Sequence, residues 1–135
     1  MKYIEKKKRF GEAIGVRVNV FKYGSTSLTT GGLGILTGEL SLELRKIITD
    51  EPSGIIVQLP LPKNVDTNTI LNMLPVDKDV DLLSERAYQD FVDGRSKILP
   101  PVVASIKEIL ERGCLYDLNG LKVVIVGRGR LVGRP

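Results

Sequence analysis

The sequence contains no histidine and no tryptophan, and its single cysteine is Cys114. One cysteine cannot close an intrachain disulfide, and without histidine no Cys/His zinc constellation can form. Cys114 therefore reads as a structural thiol, and no metal site is expected. Aromatic residues are sparse, four Tyr and three Phe. None is spaced as a base-stacking platform, so nucleic acid is not the expected partner. No apolar run approaches the roughly 18 to 20 residues that cross a bilayer. The basic start, MKYIEKKKRF, leads into no apolar signal-peptide core, so no membrane partner is expected and the expected location is cytoplasmic.

What is present suffices for one ordinary globular core: 135 residues, 42% of them apolar, with a net charge of +4. The charge is uneven. Residues 1–9 carry five Lys/Arg against Glu5, residues 121–135 carry four against none, and the middle is net negative. Basic ends of this kind are solvated faces, or they attract a polyanion such as nucleic acid, a nucleotide phosphate or a glutamate tail.

Hydrophobic spacing places the elements. Tyr3, Phe10 and Ile14 recur at helical intervals with Lys between them, and Gly15 supplies a stop. Residues 16–21, VRVNVF, alternate apolar with polar and predict a strand with one buried face. The Gly/Ser/Thr-rich residues 22–38 predict a loop. Leu40, Leu42, Leu44, Ile47 and Ile48 then give a helix over 39–50, ended by Pro52 and Gly54. Residues 54–58, GIIVQ, are apolar on both faces, as expected of a central parallel strand. TNTILNML predicts a short helix closed by Pro75. Pro100 and Pro101 lead into a helix with Val102, Ile106, Ile109 and Leu110 on one face and Gly113 as its cap. Residues 121–127, LKVVIVG, predict a second buried strand. Strands alternating with helices indicate an α/β fold with parallel pairing.

Ligands of open parallel sheets bind beyond the carboxyl ends of the strands. Gln58 stands at such an end, where an amide offers both donor and acceptor, and Pro60 and Pro62 stiffen the loop that follows. Proline-rich turns of this kind also accommodate a cis bond. The ordinary alternative is a strand cap and a connector. In DKDVD, Asp77, Asp79 and Asp81 lack the glycine and distant glutamate of a calcium loop, whereas Asp81 could take a two-pronged hydrogen bond from an amidine-like heterocycle. Tyr3 and Lys7, four apart, share one helix face. A lysine in a low-polarity pocket serves as general acid or base and a tyrosine stacks on a flat substrate, although such a pair is most often plain helix surface. Gly127, Gly129 and Gly133 form G-x-G-x-x-x-G, one residue longer than the common dinucleotide fingerprint, with Arg128 and Arg130 able to pair with phosphate. A plain glycine turn fits the same pattern.

Taken in order, YIEKKKRFGEAIGV, GIIVQLPLP, PVDKDVD and LKVVIVGRGRLVGRP resemble the motifs of the bifunctional methylenetetrahydrofolate dehydrogenase/methenyltetrahydrofolate cyclohydrolase family. The resemblance implies substrates that are tetrahydrofolate derivatives, NADP as cofactor, and a homodimer in full-length members. It implies oxidation of the methylene group by hydride transfer to NADP, then attack of water on the methenyl carbon. Lys7 is the implied catalytic lysine, with Tyr3 against the folate ring system and Gln58 bonded to the folate and helping to place the lysine. Leu59 and Asp81 complete the implied substrate contacts, Asp81 on the pterin edge. Gly127, Arg128, Gly129 and Gly133 are the implied cofactor turn, Arg128 favouring the extra phosphate.

Departures accompany the likeness. Leu82 stands where the family has Gly, Pro100-Pro101-Val102-Val103 where it has Pro-Cys-Thr-Pro, and Gly129 where it has Ser. Family chains also begin with a further helix and strand and continue through a full nucleotide-binding domain. The expectation is therefore a partial folate-binding catalytic domain at 1–98, with a parallel sheet. Residues 99–135 are expected to hold a connecting helix and the opening strand and glycine turn of a Rossmann-like domain. Hydrolase activity is expected to depend on Lys7 and dehydrogenase activity to be weak or absent. The alternatives are a non-catalytic fragment or short form that binds folate weakly or acts as an interaction module, and a basic nucleic-acid-binding module.

Overall fold

The computed structural model describes residues 2–23, 35–115, 117–129 and 133, and the chain divides into two compact units, Met1–Gly34 and Ile35–Pro135. The first unit is built on helix α1, Lys2–Ala13. Its end is a Schellman turn. Gly15 adopts φ +75°, and the N–H groups of Val16 and Gly15 donate to the carbonyls of Gly11 and Glu12 at 2.8 and 3.2 Å. Gly11 is buried at the point where the chain folds back. A Cβ there would stand 2.7 Å from Val18 Cγ2 and 2.8 Å from the Val16 carbonyl oxygen, so only glycine allows this approach.

Residues 16–21 are not a strand. The alternation survives only as half-buried Val18 and Val20 between exposed neighbours, and among the described residues the segment has no ladder partner. A strand is defined by pairing, which its own sequence does not supply. Most of the loop expected at 22–38 lies outside the described residues.

In the second unit, helix α2 is Thr37–Thr49, two residues longer at its start than the hydrophobic spacing indicates. Glu39 causes this extension, because its carboxylate accepts the Leu36 backbone N–H at 3.0 Å and satisfies one open donor of the first turn. Helix α3, Thr67–Asn72, starts at the Asp66 cap, helix α4, Glu85–Val92, at the Ser84 cap, and helix α5, Pro101–Arg112, at a proline in its first turn. α4 was not expected from the spacing. α3 packs against both α2 and α4. The core joins Leu40 and Leu44 of α2, Ile70 and Leu71 of α3 and Ala87 of α4 with Ile35, Ile55, Val65, Leu74, Leu82 and Leu83 from the connections. Full burial of a residue such as Ile70 or Leu71 contributes about 1.5–3 kcal/mol.

The expected strand at 54–58 is reduced to one parallel bridge, Ile55 to Asp79, whose hydrogen bond runs from the Ile55 N–H to the Lys78 carbonyl at 2.7 Å. Ile55 is buried but Ile56 is 46% exposed, so one face only is covered. The expected buried strand at 121–127 is not formed either. Val123, Val124 and Ile125 are exposed and Val126 is 91% exposed. The apolar face of α5 is likewise open at Ile106 and Ile109, so its spacing fixes a helix without fixing a cover for it.

Two C-terminal caps differ from expectation. Gly113 has φ −80°, and it is Cys114 that takes the left-handed turn at φ +57°, with Leu115 and Cys114 N–H groups donating to Leu110 and Glu111. Cys114 is exposed, not a buried structural thiol. After α2, Glu51 takes the corresponding position at φ +49° and Pro52 follows, lacking the N–H that would complete the cap.

Candidate functional site

α1 carries Tyr3, Lys7 and Phe10 along one face at spacings of four and three, and Ile14 follows in the turn after the helix. The Lys7 Nζ lies 4.9 Å from the centroid of the Tyr3 ring, within reach of a cation–π contact. Tyr3 is 62% exposed while Lys7 is half-buried. The ammonium is thus held over an aromatic face, and much of the ring remains open to a ligand.

Gln58, Leu59 and Asp81 belong to the second unit, and the bridge relates them. Ile55 and Asp79 pair in parallel; Gln58 follows three residues after Ile55, whereas Val80 and Asp81 lie in a turn closed by the Leu82 N–H on the Asp79 carbonyl at 3.1 Å. Gln58 is exposed, Leu59 and Asp81 are half-buried, and the Gln58 amide donates to the Leu59 carbonyl at 3.2 Å. The Leu59–Pro60 bond is cis. Downstream, Asn64 donates to the Ile35 carbonyl at 2.8 Å, and the Asp66 N–H donates to the Thr37 hydroxyl at 2.8 Å. These bonds anchor the proline-rich loop to the start of α2.

The aspartate motif divides by burial. Asp79, not Asp81, is the fully buried carboxylate, accepting the N–H groups of Leu83 and Ser84 at 3.2 and 2.8 Å. Asp79 therefore supports the motif, while Asp81 is only half-buried. Ser84 is also buried and caps α4 by accepting the Ala87 N–H at 3.3 Å. The signal for this arrangement was a serine just before Ala87, Tyr88 and Phe91 at helical spacing. Leu82, in the position where the resembled family has glycine, keeps a glycine-like φ of +50° yet buries its side chain in the core.

At the other end of the unit, Gly127 has φ +144°, and the Gly133 N–H donates to the Gly129 carbonyl at 3.1 Å. A Cβ on Gly133 would collide with the Gly127 carbonyl, so the turn closes only with glycine at that position. Arg128 is exposed beside it. The space that a Gly133 side chain would need is thus taken by the Gly127 backbone.

Residues 1–81 match the family described as tetrahydrofolate dehydrogenase/cyclohydrolase, catalytic domain. The chain belongs to that family. The bifunctional protein FolD of Borrelia garinii subsp. bavariensis is 36% identical over 135 residues, covering 98% of this chain and 42% of that protein. FolD of Maricaulis maris is 42% identical over 86 residues, 64% of this chain and 28% of that protein. The crystal structure of the bifunctional FolD methylenetetrahydrofolate dehydrogenase/cyclohydrolase from Campylobacter jejuni matches with a TM-score of 0.84 at 27% identity, over 98% of this chain and 45% of that one. The bifunctional dehydrogenase/cyclohydrolase of Thermoplasma acidophilum matches at 0.80 and 28%, over 98% of this chain and 44% of that one. The tetrahydrofolate dehydrogenase/cyclohydrolases are α/β enzymes, and this chain spans less than half the length of the FolD proteins it matches.

Proposed function

We propose that this chain acts in folate one-carbon metabolism, carrying the tetrahydrofolate side of a dehydrogenase/cyclohydrolase site. The observation that carries the reading is the Tyr3 and Lys7 pair, an ammonium fixed 4.9 Å from a largely exposed aromatic ring, in a chain of this family. Lys7 is the proposed proton carrier for hydrolysis of methenyltetrahydrofolate. For this step Lys7 acts as the neutral amine: water adds to the methenyl carbon and its proton passes to the amine nitrogen, leaving the ammonium. The carbon–N5 bond then breaks as N5 takes a proton and the hydroxyl becomes the carbonyl of a formyl group on N10, with one proton released overall. Tyr3 lies against the flat ring system. Gln58, the third catalytic residue of the proposal, and Leu59 supply polar and apolar contacts, and Asp81 takes the donor edge of the pterin.

The proposal divides the chain at residues 1–98 for the folate-binding part, with a parallel sheet, and 99–135 for a connecting helix and the start of a Rossmann-like NADP-binding part. Gly127, Arg128, Gly129 and Gly133 are the residues proposed to hold NADP. The support for this reading is the glycine spacing that follows an apolar run, with the exposed Arg128 beside it. When bound, NADP accepts the hydride equivalent that converts the methylene carbon to methenyl. Arg128 is the residue proposed to meet the extra phosphate. A cytoplasmic location and a homodimer of the full-length form belong to the same proposal, and no helix among the described residues is long and apolar enough to cross a membrane.

The test is the rate of methenyltetrahydrofolate hydrolysis by the purified, folded chain, compared with the spontaneous rate. Acceleration is expected. A folded chain that leaves the spontaneous rate unchanged would favour a remnant that only binds folate or another subunit.

A further inference from the structure

We infer that Phe10 is a substrate-positioning residue, set to stack on the second flat ring of the substrate while Tyr3 takes the first. The inference rests on the reading of Tyr3 and Lys7 above. Phe10 is 66% exposed, and it lies on the same face of α1 as Tyr3 and Lys7. Buried Gly11, whose backbone meets Val16 and Val18, marks the side of α1 that packs; that side borders half-buried Lys7, four residues earlier, and leaves Phe10 open. Phe10 is therefore a large aromatic residue outside the packing that ends the helix, and an open ring of this kind is more informative than a buried one.

The order along the helix supplies the ligand. Lys7 stands between Tyr3 and Phe10, about 6 Å of helix rise from the first and about 4.5 Å from the second, so the two rings start roughly 10 Å apart along the axis. The reacting carbon of methenyltetrahydrofolate is bridged between N5 and N10, and therefore stands between the pterin and the aminobenzoyl ring. A proton carrier flanked by an aromatic residue about one turn away on either side matches a substrate whose reacting carbon is flanked by a flat ring on either side. Tyr3 and Phe10 would hold the substrate lengthwise along α1, with the bridging carbon at the Lys7 position. A contact with the aminobenzoyl ring orients the substrate without touching the reacting atoms.

The experiment uses 5-formyltetrahydrofolate, a stable ligand with both rings, and measures its binding to the whole chain by titration calorimetry. Phe10→Ala is expected to weaken binding roughly tenfold, the scale of one aromatic stacking contact. Phe10→Tyr, which keeps the flat face, should bind as the parent does, and Phe10→Leu, which keeps only apolar bulk, should not. Melting temperatures of the three variants show that each is folded. Parent-like binding by Phe10→Ala or by Phe10→Leu would overturn the stacking role while leaving the Tyr3 and Lys7 reading standing. Absence of binding by the parent chain would overturn both.

Discussion

The Asp79 carboxylate accepts the Ser84 backbone N–H at 2.8 Å, and both residues are buried at the start of α4. Ser84 in turn accepts the Ala87 N–H, so one aspartate closes the turn and orients the cap of the following helix. The turn also determines where Asp81 leaves the bridge.

Replacing Asp79 by Ala strands the Leu83 and Ser84 N–H groups in the interior, at about 1–3 kcal/mol for each buried donor left without a partner. The expected outcome in urea unfolding is a loss of roughly 3 kcal/mol. Asp79→Asn retains one acceptor oxygen and should lose about half of that.

The left-handed position after α5 is occupied by Cys114 at φ +57°. A non-glycine residue there costs about 1–2 kcal/mol, and glycine returns about 0.5–1 kcal/mol of that through its looser unfolded chain. Cys114→Gly should therefore raise stability by about 0.5–1 kcal/mol, read as a higher urea midpoint at unchanged slope. A lower midpoint would show that the thiol has a packing role.

Leu82 presents the opposite balance. Glycine would relieve about 1–2 kcal/mol of backbone strain at φ +50°. Removing a buried leucine side chain costs more, about 2–5 kcal/mol, and glycine adds its own flexibility. Burial wins, and Leu82→Gly should destabilise by about 2 kcal/mol or more in the same assay.

The Asp66 cap makes the chain sensitive to acid. The Thr69 hydroxyl donates to its carboxylate at 2.5 Å and the Asn68 N–H at 3.1 Å, holding its pKa below the ordinary value of 3.8. A depressed folded-state pKa contributes stability that is present above the ordinary value and is lost as pH falls through the folded one. Asp66→Asn keeps an acceptor but cannot titrate. Its stability, measured from pH 5 down to about pH 2, should decline less steeply than that of the parent.

Helices α1, α2, α3 and α5 were legible because 3.6-residue spacing and stop signals lie within one stretch of chain, whereas α4 was not. Gly15 marks the end of α1, and Leu40 and Leu44 mark the buried face of α2. Residues 16–21 and 121–127 were not legible as they stand, because their apolar patterns describe strands whose partners must come from elsewhere in the chain. Among the described residues only Ile55 finds one, at Asp79. The likeness to a folate family was legible from four motifs in order. The division of labour between Asp79 and Asp81 was not, since two aspartates two residues apart are equivalent until the turn buries one of them. The candidate α1 site depends only on i,i+4 geometry, so Tyr3 beside Lys7 followed directly from spacing.

The central claim is that Lys7 carries protons in methenyltetrahydrofolate hydrolysis. Its most direct test compares the parent chain with Lys7→Ala, each shown to be folded by its thermal transition. The account predicts acceleration above the spontaneous rate for the parent and its loss, by a factor of about 100 or more where the parent rate allows, for Lys7→Ala. Equal acceleration by both chains would contradict it.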